Sequence, residues 1–258
     1  MKYRYKVIAS NLTKSFPDKS IVELEEIIRG AYRNFCDILL EGIKGMTMSE
    51  AAIAKRYQVQ NPEFLQPYFD ANQDVLLAAS HYANWEWGIS LGLQFPHFVM
   101  VTYKPVKNPH INTFIEASRA FDNLDTVQMK KTYEYLNRKP TKPRLLILIA
   151  DQSPSNAHKA HWGTFLGQET AFLPGPDTIA RQYKMPLLYA DVQRASRGIY
   201  HITLSLLNEK PQQTTVGQLT QSYVQALEKI ITKKPENWLW THRRWKKEKP
   251  EEAIEFKT

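Results

Sequence analysis

One cysteine, Cys36, is all the thiol this 258-residue chain contains. A lone thiol closes no internal disulfide and builds no structural zinc site, so a reducing compartment is expected and Cys36 reads as core filler. Long apolar runs are missing as well. The longest, LLILIA at 145–150, falls far short of the roughly 18 to 20 residues that a membrane span requires. No charged start leads into an apolar signal segment, so export is not indicated. The chain has no G-x-S-x-G elbow, which argues against a serine hydrolase, and no glycine-rich phosphate loop. Internal repeats, low-complexity tracts and a linker are also absent, so a single domain over 1–258 is expected.

What is present suffices for a sizeable core: 43% of the residues are hydrophobic and 12% aromatic. The net charge of +8 is concentrated, because residues 233–249 hold seven Lys/Arg against two Glu, or +5, and leave +3 for the remainder. Such a basic tail could meet nucleic acid, anionic lipid or an acidic protein, and charge alone does not choose among them.

Patterning gives the architecture. After the basic start KYRYK, the stretch that follows Ser20 reads as a long helix, with Ser20 as N-cap, Glu23 completing a capping box, and Leu24, Ile28, Ala31, Phe35, Ile38 and Leu39 at helical spacing. Shorter helices are expected from Ser49 and after Asn61, so residues 1–72 form a helical N-terminal part. From 73 onward, strands and helices alternate: Val75–Ser80, a helix from about Trp85, a strand over 97–103, helices over about 109–122 and 128–138, and a strand over 145–150. That rhythm predicts an α/β domain with a mixed, largely parallel central sheet flanked by helices. Residues 151–174 read as a long irregular loop. A helix after Gly175, an antiparallel pair (LLYADVQR and YHITLSLL), a helix over 216–233 and the basic aromatic tail complete the core.

The chemistry-bearing stretch is HYANWE at 81–86. If the strand stops near Ser80 and Asn84 caps the next helix, His81 lies on the connecting turn and Glu86 in the first helical turn, close enough to approach an imidazole nitrogen. A carboxylate on one nitrogen fixes the tautomer and leaves the other free to take a proton from an alcohol. The spacing is also met by chance, and a satisfied histidine beside an unrelated glutamate fits it equally. His158 and His161 stand three apart but without a clear third ligand, so a solvated or packing role is expected and no metal site. WLWTHRRWKKEK interleaves aromatic and basic residues, as a nucleic-acid stacking surface does. A final strand that buries Trp238 and Trp240 accounts for it too.

Four blocks occur in order: HYANWEW at 81–87; YKPVKNPHIN at 103–112 with Arg119; ADQSP at 150–154 with HWGTFLGQETAFLPGP at 161–176; and PENWLWTHRRWK at 235–246. Together they resemble the bacterial lipid A biosynthesis acyltransferases, the lauroyl and myristoyl transferases of the lysophospholipid acyltransferase superfamily. VIASNLTKSFPDKS is similar to the segment that commonly follows the family's membrane anchor.

The resemblance implies a glycerol-3-phosphate acyltransferase-like fold, with His81 as general base on an acceptor hydroxyl and Glu86 as its orienting partner. It implies substrate-binding roles for Asn84, Tyr103, Lys104, Asn108, Arg119, Asp151, Gln152, Gly175, Arg243 and Arg244. Lys104 stands where the family often has arginine, and an ammonium binds phosphate without a bidentate grip. Asp151 and Gln152 would line the cleft or hold Lys104 and His81 in place. Gly175 opens a helix whose N-terminus could face an anion. Ala83 stands where glycine is common, so the backbone there is expected to avoid positive φ.

The acyl donor implied is a thioester on acyl carrier protein. The acceptor implied is a lipid A precursor or a related lipid, and no cofactor or metal is required. The workplace implied is the cytoplasmic face of the bacterial inner membrane, reached peripherally or through an anchor this chain lacks, with no nucleic-acid partner. The competing readings are a non-catalytic module that binds anionic lipid or nucleic acid through the tail, and an acyltransferase acting on another lipid, such as an amino-acid lipid.

Overall fold

Helix α1 (Tyr5–Ser15) leads into α2 (Ile21–Gly45), which starts as the sequence requires. The Ser20 hydroxyl accepts the Glu23 N–H at 3.3 Å, and the Glu23 carboxylate accepts the Ser20 N–H at 2.8 Å. The buried face of α2 carries Ile28, Ala31 and Ile38, but also Asn34, Asp37 and Glu41, and those polar members prove to hold the site. The computed structural model describes residues 3–105, 108, 110, 112–113 and 123–256. The helix expected over about 109–122 falls almost wholly outside the described residues, and so does Arg119.

Short helices α3 (Glu50–Ala54) and α4 (Gln66–Asp70) flank strand β1 (Tyr57–Val59). Next come β2 (Val75–Ala79), β3 (Phe98–Tyr103), β4 (Leu124–Gln128), helix α5 (Thr132–Leu136) and β5 (Arg144–Ile149). The chain continues through β6 (His161–Phe165), β7 (Gln168–Phe172), α6 (Gly175–Tyr183), β8 (Leu187–Ser196), β9 (Ile199–Asn208), α7 (Gln218–Lys233) and β10 (Ile254–Glu255).

Among the described residues, seven strands form one sheet in the order β1-β9-β8-β2-β5-β3-β4. Strands β8, β2, β5, β3 and β4 run parallel, β9 is antiparallel to β8, and β1 is parallel to β9. The expected α/β class and the expected antiparallel pair are therefore both observed. Strands β2 and β5 sit at the centre in register from Val75 opposite Leu145 to Ala79 opposite Ile149. Their unbroken apolar runs are what a strand covered on both faces needs. The connections end near one another at the C-terminal edges of β2, β3 and β5, the place where open parallel sheets bind ligands.

Several local expectations change. The segment after Trp85 is a 3₁₀ helix, Glu86–Leu93, because Gly88 and Gly92 are poor helix formers. Strand β4 was not anticipated, nor was β1, which lies within the N-terminal part expected to be helical and joins the sheet through β9. The stretch taken as an irregular loop contains the hairpin β6–β7, which pairs Phe165 with Gln168 and, across its other edge, β10. Its two-residue turn puts Leu166 at φ 50° and Gly167 at φ 71°, the positive values of a type I′ turn. Leucine in the first of those positions gives no turn signal.

Candidate active site

Strand β2 ends one residue before Ser80, and strand β5, its neighbour, ends one before Ala150. Parallel registry therefore sets His81 beside Asp151 although 70 residues separate them. The imidazole Nδ1 lies 2.6 Å from Asp151 Oδ1, and the backbone N–H of His81 donates to Oδ2 at 3.0 Å. The indole N–H of Trp238 donates to the same Oδ2 at 2.8 Å. Burial pushes the Asp151 carboxyl upward, but the imidazole, those N–H groups and the indole outweigh it and hold the group below its ordinary value. Asp151 is thus an anion sealed in the interior, 2% exposed. On the other edge of the ring, Gln152 Nε2 lies 3.1 Å from His81 Nε2. Consecutive residues of one strand end clasp both imidazole nitrogens.

The carboxylate on Nδ1 is thus Asp151, one of the two residues expected to hold His81 in place, and not Glu86, which was expected to orient the ring. Glu86 enters the same region from the first turn of the 3₁₀ helix, accepts the Trp85 indole N–H at 3.1 Å and lines the cavity beside the imidazole. Trp85 itself meets the His81 ring edge-on, with centroids 5.1 Å apart.

The cavity measures about 470 Å³. Its floor is apolar, with Leu77, Ile147, Ile149 and Val192 from the sheet and Ile89 and Leu91 from the 3₁₀ helix; its mouth is polar, with His81, Glu86, Lys104, Gln152, His242 and Lys246. An apolar chamber with a few convergent polar groups is the usual form of a small-ligand site. Tyr103 and Lys104 line it at the end of β3, while Asn108 is exposed.

Other expected substrate contacts lie elsewhere. Asn84 is fully buried; its amide donates to Glu41 at 2.7 Å and its oxygen accepts the Trp87 N–H at 3.1 Å. Glu41 also accepts the Tyr200 hydroxyl at 2.7 Å, so Asn84 ties the His81 loop to α2 and the sheet. Gly175 opens α6 and does not itself line the cavity, although Leu173 just before it does, and the first turn of the helix carries the buried Asp177, which accepts the N–H groups of Gly217 and Leu219. His161 is buried and its Nδ1 lies 2.8 Å from the Thr220 hydroxyl, a packing role.

The tail is a clamp. Trp238 and Trp240 are buried without belonging to a regular strand; Trp238 makes an isolated antiparallel bridge with Tyr82. The Ala83 N–H donates to Asn237 O at 2.9 Å and the Leu239 N–H to His81 O at 3.1 Å. Asn34 of α2 and Asn11 of α1 hold the tail from behind, donating to Asn237 O at 3.1 Å and Trp240 O at 3.0 Å. Ala83, held in this bracket, takes φ 52°, against the expectation. Arg244, expected at a headgroup, is 1% exposed, with its guanidinium carbon 4.3 Å from the centre of the Phe172 ring. Burial lowers it to about 10, so it remains a cation. Arg243, beside it, is exposed.

Two residues that sequence reasoning passed over complete the site. Trp238 orients Asp151, and His242 lines the cavity while its Nε2 accepts the Ser153 N–H at 3.1 Å. Burial first, then Arg244 and Lys246, lower His242 to about 4, so it is neutral at physiological pH.

A family model of bacterial lipid A biosynthesis acyltransferases matches residues 1–247. The chain belongs to that family. Membership assigns this lipid A acyltransferase its enzyme class, acyl transfer in lipid A biosynthesis, and with it a lipid acceptor. The family is membrane-associated. Among the described residues no helix is long and apolar enough to cross a membrane. No curated protein matches the chain.

Proposed function

We propose that the protein moves a fatty acyl group from a thioester, carried by acyl carrier protein, to a hydroxyl of a lipid A precursor, with His81 as general base. The observation that carries this reading is the imidazole whose Nδ1 is fixed by the buried anion Asp151 while the ring borders an apolar cavity. An anion on Nδ1 stabilises the imidazolium that forms when Nε2 takes the hydroxyl proton. The apolar floor suits an acyl chain, and the polar mouth suits a hydroxylated, phosphorylated headgroup. Glu86, at the mouth, positions the acceptor, and Lys104 meets its phosphate as a point charge. Direct transfer, without an acyl-enzyme, fits a base whose ring nitrogens face Asp151 and Gln152 and no serine or cysteine nucleophile.

The acceptor lies in a membrane, and α2 supports a peripheral approach. Leu39, Leu40 and Ile43 are 51%, 60% and 66% exposed and stand beside the exposed Lys44. Gly42, between them, packs on Glu86 at the cavity rim. An apolar stripe with a cation at its edge is the chemistry of an interfacial helix on anionic lipid. Lys246, exposed in the cavity lining, and Arg243, exposed three residues before it, suit an acidic carrier protein.

The test is acyl transfer from acylated carrier protein to a lipid A precursor by the wild type, His81→Ala and Glu86→Ala. We expect a loss of at least a hundredfold at His81 and a smaller loss, mainly in KM, at Glu86. Full turnover by His81→Ala sinks the base assignment.

A further inference from the structure

A base at work needs a free lone pair, yet the imidazole nitrogen that should receive the proton already has a partner. Asp151 is anionic and accepts three N–H groups, so Nδ1 carries a hydrogen and the neutral ring presents its lone pair at Nε2. What meets that lone pair is the Gln152 amide nitrogen at 3.1 Å. Turning the carboxamide over would set two acceptors against each other, so the amide N–H is the donor. Gln152 is half-buried, lines the cavity and follows Asp151 directly in the chain, so the strand end that fixes one nitrogen delivers the cap for the other.

Resting on the acyl-transfer reading, we propose that Gln152 is a catalytic residue: it caps the lone pair of His81 in the resting enzyme and, when the acceptor hydroxyl takes that place, donates the freed N–H to the oxyanion of the thioester. The acceptor oxygen attacks the thioester carbon as its proton passes to Nε2, forming a C–O bond and an oxyanion. Collapse breaks the C–S bond, and the Nε2 proton goes to the sulfur, leaving ester, thiol and neutral imidazole. The attacked carbon must sit within bonding reach of the oxygen that occupies the cap's place. A donor displaced from that place therefore needs only a side-chain rotation to reach the carbonyl oxygen. An amide suits the task because it donates without competing for the proton, and a donor aimed at an oxyanion is among the largest single contributions to acyl transfer.

Gln152→Met keeps the side-chain length and removes the donor; Gln152→Asn keeps the amide but draws it back by one methylene. Two measurements apply to both, after thermal unfolding has established that they fold. In steady-state acyl transfer, Gln152→Met is expected to lose about a hundredfold in kcat, with KM within about threefold of wild type, and Gln152→Asn to fall between. Without any substrate, diethyl pyrocarbonate, which attacks an unprotonated and unblocked imidazole, is expected to modify His81 several-fold faster in both variants than in wild type, read by peptide mass. Gln152→Met turning over within threefold of wild type overturns the oxyanion role. An unchanged rate of His81 modification overturns the cap. Wild-type protein that transfers no acyl group would defeat the acyl-transfer reading instead, and the modification rate would still decide the cap.

Discussion

Asp151 grips His81 twice, with one oxygen 2.6 Å from the ring Nδ1 and the other accepting the backbone N–H of the same residue at 3.0 Å. Ring and backbone are therefore fixed by a single carboxylate, and the imidazole cannot turn without breaking a bond to a buried anion. Asparagine cannot repeat this. Whichever way its carboxamide turns, one side presents an NH₂ to N–H groups that need an acceptor. Asp151→Asn is expected to lose between about a hundredfold and ten-thousandfold in kcat, the range of general-base catalysis. Acyl transfer by a variant that still unfolds cooperatively measures it, and activity within tenfold of wild type would refute the role.

Trp238 gives Asp151 its third donor, through a buried indole N–H. Phenylalanine keeps most of the ring contacts with Phe165, Trp240 and Trp245 but leaves the carboxylate short of one bond. A hydrogen bond to a buried charged group is worth about 1.5–3 kcal/mol, and Trp238→Phe is expected to lose that much stability in urea unfolding. Its kcat should fall together with its stability, because the anion it leaves less well held is the one that fixes the base.

Ala83 occupies the left-handed region at φ 52° and is wholly buried. For an L-residue this conformation costs roughly 1–2 kcal/mol. Glycine relieves it, but gives up about 0.5–1 kcal/mol of backbone entropy and a buried methyl worth about 0.8 kcal/mol. The effects nearly cancel, so Ala83→Gly is expected to unfold within about 1 kcal/mol of wild type. Ala83→Val meets both the strain of a β-branched residue at positive φ and a closed interior, and should lose more than about 2 kcal/mol. Equal stability of the two variants in chemical denaturation would contradict this account.

What the sequence made legible follows from how local each signal is. The capping box at Ser20 and Glu23, the apolar runs of β2 and β5, and the helix Gln218–Lys233 announce themselves within one short window. His81 was legible through its position behind such a run. The orienting carboxylate was assigned to the nearest acid in the chain, Glu86, and a holding role for Asp151 came only from the family resemblance, because the bond that exists is made by strand registry across 70 residues, which no local window carries. The tail misled for a related reason. Its composition suits a surface, but Trp238, Trp240 and Arg244 are buried against the His81 loop and the β6–β7 hairpin. The polar residues on the inner face of α2, Asn34 and Glu41, break the apolar pattern because they bond to the tail and to Asn84.

The exposed stripe on α2 gives a separable prediction. Leu40→Asp with Ile43→Asp places two anions on a surface that is now apolar and cationic at its edge, and transfer of such side chains to an anionic interface is unfavourable. The double variant is expected to float at least tenfold less with phosphatidylglycerol-containing liposomes. Acyl transfer to an acceptor dispersed in detergent should stay within about threefold of wild type. Unchanged flotation would place the membrane contact elsewhere.

Stability should fall as the pH is lowered through two windows, the opposite sign from a surface histidine that gains a partner. His242 lies at about 4 in the folded chain, below the roughly 6.5 of an exposed imidazole. Between those values the unfolded chain binds more protons, so stability rises with pH. The contribution of neutral His242 is complete above about 6.5 and is lost as pH falls toward 4. Asp151, held below its ordinary value, contributes fully above the normal carboxylate range, near 3.9, and is lost only beneath it. The upper window therefore belongs to His242 together with His97 and His161, which burial also lowers, and the lower one to the aspartate. Glutamine at position 242 can still accept the Ser153 N–H and does not titrate, so His242→Gln is expected to reduce the slope of the stability curve between pH 6.5 and 4, leaving the share of His97 and His161 and the fall at lower pH. Urea titrations at half-unit steps between pH 3 and 8 measure both slopes, and identical slopes above pH 4 would show that some other group controls the upper window.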